Sequence, residues 1–108
     1  MIPAHLDFKN PKYAQLKGKS DIDIVRRKAL NYGIPEVYLS TNKNKKFMIV
    51  HPTTGRLVHF GSPDYEDFTY HKNQIRRANY RRRAEAIKGN WKNDRYSPNS
   101  LSLAILWN

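Results

Sequence analysis

The chain has 108 residues, with 20 Lys and Arg against 9 Asp and Glu, for a formal charge of +11. That size bounds it to one domain with a modest core, and a pI of about 10.1 points to an anionic partner. The absence of cysteine excludes a disulfide framework, a zinc–thiolate site and a thiol nucleophile, and no apolar run is long enough to span a membrane as a helix.

The opening MIPAHLDFKNPKYAQ lacks the apolar stretch of a signal peptide. Residues 1–19 follow neither the helical nor the strand period, and Pro3 and Pro11 interrupt them. They are expected to form an extended arm, with Phe8 and Tyr13 as anchors that dock on a neighbouring surface. Residues 20–108 are then expected to form the domain.

Ser20 to Tyr32 is the clearest helix. Ile22, Val25, Ala29 and Tyr32 recur at helical spacing, Ser20 is the expected N-cap, and Gly33 ends the pattern. A short strand is expected over Glu36–Ser40, followed by the polar turn Asn42–Lys46. The runs Phe47–His51 and Arg56–Phe60 read as a hairpin closed by Pro52-Thr53-Thr54-Gly55. A hairpin alone is marginal, so helices must cover one face of the sheet.

Gly61 to Asp64 reads as a turn that starts a helix at Pro63. The stretch His71–Gly89 then carries seven Lys or Arg against one acid, and reads as one long basic helix. At about 100° per residue, its five arginines leave no clean apolar stripe. Arg76 and Arg83 share one direction, Arg77 and Arg81 another, and Arg82 falls on a third side. After a polar loop containing Trp91, Ser97-Pro98 repeats a cap-plus-proline start, and LAILW makes an apolar ending.

The core expected from these patterns comprises Val25, Ala29, Tyr38, Phe47, Ile49, Leu57, Phe60, Phe68, Trp91, Ile105 and Trp107. The fold class is α+β: a small antiparallel hairpin or sheet packed with an N-terminal helix, the long basic helix and a short C-terminal helix or tail. Within the tail, Leu106 and Trp107 are also expected to serve as docking anchors.

The histidines offer little chemistry. His51 and His59 on facing strands near Asp64, Glu66 and Asp67 form no familiar ligand motif. His59, His71, Asp67 and Asn73 fit no ordered nuclease arrangement. No glycine-rich phosphate loop or nucleophile elbow is present. No catalytic residue, metal site, cofactor or small-molecule substrate is therefore expected. The binding candidates are Lys72, Arg76, Arg77, Tyr80, Arg81, Arg82, Arg83 and Lys88. These cations suit carboxylates on a protein neighbour or phosphates of a nucleic acid, and Tyr65, Tyr70 and Tyr80 could stack on unpaired bases.

The segments VHFGSPDYEDFTYHK, QIRRANYRRRA, Trp91 and the ending SPNSLSLAILWN together resemble a family of small basic proteins encoded by nucleocytoplasmic large DNA viruses. The resemblance spans roughly Lys46 to Asn108. Its most specific pieces are His59-Phe60-Gly61, Asp67-Phe68-Thr69 with His71-Lys72, and Leu106-Trp107-Asn108. It implies a viral source and a compact hairpin–helix module located in the virion, and it implies no catalytic residues. The expected function is a minor capsid or cement protein that bridges acidic surfaces of larger capsid proteins, made in the host cytoplasm or viral factory. The alternative is a binder of viral DNA.

Overall fold

The computed structural model describes residues 11–108. In chain order the elements are α1 (Pro11–Leu16), α2 (Ile22–Asn31), β1 (Tyr38–Leu39), β2 (Phe47–Val50), β3 (Leu57–Phe60), α3 (Phe68–His71), α4 (Gln74–Glu85) and α5 (Pro98–Leu101). A 3-10 turn at Trp91–Asn93 precedes α5, which continues directly into a π-helical turn over Ser102–Leu106. The class is α+β, as the sequence patterns require.

The sheet is antiparallel in the order β1-β2-β3. Its register sets Leu39 opposite Phe47, and Phe47 opposite Phe60. β2 is the central strand, and Phe47, Met48 and Ile49 are all buried. One strand therefore reads as a continuous apolar run with no alternation. The hairpin closes where expected. The Gly55 N–H donates to the His51 carbonyl at 2.9 Å, and Gly55 has φ of 74°, a left-handed conformation that glycine adopts without penalty.

The core joins Leu16, Val25, Ala29, Leu39, Phe47, Ile49 and Phe60 to Leu101, Ile105, Leu106 and Trp107. α2 lies against the C-terminal π-turn, and α5 lies against β3. Leu57, Tyr38, Phe68 and Trp91 do not join the buried set. Leu57 opens β3 at the hairpin end, where it stays 40 % exposed. Trp91 sits in the 3-10 turn and donates its indole N–H to the Ile87 carbonyl at 2.7 Å.

Several expectations are corrected. Phe8 and the first half of the expected arm lie outside the described residues. Residues 11–16, expected in that arm, form α1, because Leu16 supplies a fully buried side chain to the core and Tyr13 packs partly against it. The N-cap of α2 is Asp21, whose carboxylate accepts from the N–H groups of Asp23 and Ile24. Ser20 is turned inward instead. No helix begins at Pro63; the next one starts at Phe68 under an Asp67 cap. The long basic helix is broken at Lys72, which adopts φ of 55°, and restarts at Gln74 with the Asn73 side chain accepting from the Ile75 and Arg76 N–H groups at 3.0 Å. The tail is core: Leu106 is fully buried and Trp107 nearly so, since an exposed LAILW run would forfeit the burial that a small domain needs.

Candidate anion-binding site on the basic helix

α4 has only Tyr80 and Ala84 to offer the core, and Ile75 is 74 % exposed. The missing apolar stripe is replaced by two arginines. The Arg77 guanidinium sits over the Phe68 ring at 5.4 Å. Arg81 donates from Nη1 to the carbonyls of Leu103 and Trp107, both at 3.3 Å, and pairs with Glu85 at 3.5 Å. These carbonyls lie in the last turns of the chain, where helical carbonyls lack intrahelical partners and favour a cation. Arg77 and Arg81 thus also serve the fold, a role that the sequence expectation, which assigned all five arginines to a partner, did not include.

Two inward arginines leave Arg76, Arg82 and Arg83 on one side of α4. Lys72, Arg76, Arg82, Arg83 and Lys88 are exposed. By the 100° rule Arg82, Ile75, Asn79, Arg83 and Arg76 occupy about 120° of the helix surface. Arg76 and Arg83 also line a common cleft of about 700 Å³ between α4 and the loop that follows β3. Its other walls include Ser62, Tyr65, Glu66, Asn79 and Tyr80, and its floor reaches Lys46, Asp67 and Trp107.

The floor is rigid for identifiable reasons. Tyr80 stacks on Trp107 with ring centroids 4.1 Å apart and planes 8° from parallel. Burial pushes the Tyr80 phenol above its ordinary pKa, opposed by a hydrogen bond with Ser102. Gly61, at the edge of the cleft, has φ of 84°, and a Cβ there would come within 2.9 Å of a Leu106 methyl. Only glycine fits both demands.

Below the floor lies a polar centre that the sequence hid. Lys46, expected in a polar turn, is 1 % exposed and donates to the Asp67 carboxylate at 2.8 Å, to Ser20 Oγ at 3.1 Å and to the Lys19 carbonyl at 3.3 Å. Ser20 donates to Asp67 Oδ2, while Thr69 donates to Oδ1 through both its hydroxyl and its N–H. The Asp21 N–H in turn donates to Thr69 Oγ1 at 2.9 Å. Burial pushes the Lys46 ammonium below its ordinary pKa, and the Asp67 charge opposes that shift. Every donor has an acceptor, so the centre ties the α1–α2 junction, β2 and α3 together as a closed network.

The histidines are separated. Met48, and not His51, stands opposite His59, whose Nδ1 lies 2.7 Å from Ser40 Oγ. His51 packs on Tyr96 at 4.9 Å. His71 lies between Phe68 and Trp107, and its Nδ1 accepts from the Asn73 N–H at 2.9 Å. Among the described residues no group of three or more His, Asp or Glu is placed to hold a metal ion. Among them, too, no helix is long and apolar enough to cross a membrane.

Of the predicted binding residues, the structure brings Arg76, Tyr80 and Arg83 to one cleft and leaves Lys72, Arg82 and Lys88 outside it. Tyr13 borders a different groove, beside Tyr70. Asn79, which falls between Arg76 and Arg83 on the same helical ridge, joins them in the cleft. Tyr65 and Glu66 reach the cleft through the fold alone.

Residues 36–84 match the profile of a family described as a family of unknown function (DUF5754). The matched stretch runs from just before β1 to the last turn of α4, so it contains the sheet, Lys46, Asp67 and Thr69, and the five arginines of α4. No curated protein and no solved structure matches the chain.

Proposed function

We propose that the chain is a non-catalytic structural component of a large DNA virus particle, and that the exposed face of α4 holds nucleic acid. The observation that carries the nucleic-acid part of this reading is the inward turn of Arg77 and Arg81. Five arginines pointing in several directions would suit neighbours on several sides. With two of them spent on the fold, Arg76, Arg82 and Arg83 form a single cationic face, flanked at the two ends of the helix by Lys72 and Lys88. Such a face can follow one phosphate track. The net charge of +11 supplies the long-range attraction.

The minor capsid or cement role is the second reading. Two features that favoured it are weakened: the C-terminal tail is buried in the core, and part of the expected arm is folded. What still favours it is Ile75, 74 % exposed in the middle of the basic face, with Ile87 54 % exposed beyond it. Apolar residues flanked by arginine suit a protein interface better than a phosphate track.

Binding of labelled DNA to the purified chain across a salt series tests the first reading. Affinity should fall steeply with salt, and replacing Arg82 and Arg83 by Ala should reduce the log–log slope by about two. Binding insensitive to salt and to both substitutions would refute it. Fractionation of gently opened particles decides between the two roles. Retention with the shell after the DNA is digested away would favour the capsid role, and release with the genome the first reading.

A further inference from the structure

We propose that the cleft beside α4 receives one unstacked nucleotide, so that the nucleic acid this surface holds is single-stranded. This rests on the nucleic-acid reading above and goes further by naming the strand form and the contacts.

Three observations converge on the cleft. The first is its size: about 700 Å³ lies within the range of small-ligand sites. A duplex backbone needs no such pocket, because its bases are stacked inside and its phosphates ride on the outside.

The second is the charge. Arg76 and Arg83 stand seven residues apart on the cleft side of α4, about 10 Å along the axis. Arg76 is held by Glu66 at 3.5 Å, whereas Arg83 has no ion pair among the described residues. A phosphate entering the cleft therefore meets Arg83 first, with the Asn79 amide one turn away on the same ridge. Glu66 and Asn79 then offer an acceptor and a mixed donor–acceptor to the edge of a base, which gives no strong preference among bases.

The third is the aromatic wall. Three tyrosines near the basic helix were candidates for stacking, and the fold disposes of them differently. The Tyr80 ring face is already occupied by Trp107. Tyr70 opens onto a separate groove near α1 and α2. Tyr65 alone among the three both lines this cleft and stays 69 % exposed. Sequence-tolerant binding of single strands uses this combination of a cationic lip and an exposed ring on which a base can stack.

Fluorescence anisotropy with the full chain provides the test, using labelled oligo-dT and a labelled duplex with the same number of phosphates. The unaltered protein should bind oligo-dT more tightly than the duplex. Tyr65→Ala should weaken oligo-dT binding about tenfold, leave duplex binding and the melting temperature unchanged, and differ in this from Tyr70→Ala, which should alter neither. If Tyr65→Ala leaves oligo-dT binding intact, or the duplex is preferred, the cleft proposal is overturned. Salt-dependent binding to both probes in that case would still uphold the broader nucleic-acid reading. Failure to bind either probe would overturn both.

Discussion

Among the described residues α2 and α4 are the two longest helices, both are rich in arginine, and they join the core by opposite means. α2 presents a regular apolar edge: Val25 and Ala29 are buried while Arg26 and Arg27 stay in water. α4 has no such edge, so the half-buried side chains of Arg77 and Arg81 occupy the inward positions beside Tyr80 and Ala84. The stems cover apolar surface and the guanidinium groups find a ring or carbonyls at the other end. Arginine on a helix thus has two separate meanings, and neighbours in sequence can differ. Arg81 belongs to the fold and Arg82 to the surface.

The largest effect is expected from removing the buried carboxylate that anchors the start of α2. Asp67 ties the start of α2, through Ser20 and Thr69, to Lys46. Asp67→Ala strands a buried ammonium, and should cost about 3–5 kcal/mol in urea denaturation. If the loss is under about 1 kcal/mol, the network is not what ties the start of α2 to β2 and α3. Next in size is Arg81→Ala, which removes charge-assisted hydrogen bonds to two terminal carbonyls and should cost about 1.5–3 kcal/mol. Arg82→Ala should change stability by no more than about 0.5 kcal/mol. Equal effects for these two variants would dissolve the distinction between inward and outward arginines.

The smallest effect concerns the joint between α3 and α4. Burial, and then the nearby Arg76 charge, hold His71 below its ordinary pKa of 6.5, opposed by Glu66 and Asp67. The folded state thus prefers the neutral ring, whose Nδ1 accepts from Asn73. Its contribution is complete above pH 6.5 and is lost as pH falls from there through the depressed folded value. Chemical denaturation at pH 7.5 and at successively lower pH should show this decline, and His71→Phe should flatten it. An unchanged slope in the variant would assign the pH dependence to other groups.

The elements were largely legible because their signals are local. Glycine at Gly33 and Gly55, the Ser97-Pro98 start and the apolar spacing of α2 each act within a few residues, and all appear where expected. The break at Lys72 was less legible, since the Ala- and Arg-rich sequence that follows it favours helix and no proline or glycine marks the boundary. It occurs because Asn73 caps a new helix and Asp67 has already begun another one before it.

Composition and period by themselves determined an α+β domain with a basic helix. Which arginines of that helix stay exposed was decided only by the tertiary structure. A guanidinium is equally at home in water or over a ring and carbonyls, and the choice depends on elements far away in sequence, here Phe68 and the final turn. The same holds for Lys46. Its neighbours NKNK read as solvated turn, and it is buried because Asp67 and Ser20, twenty-one and twenty-six residues away, supply the partners that make burial of its charge tolerable.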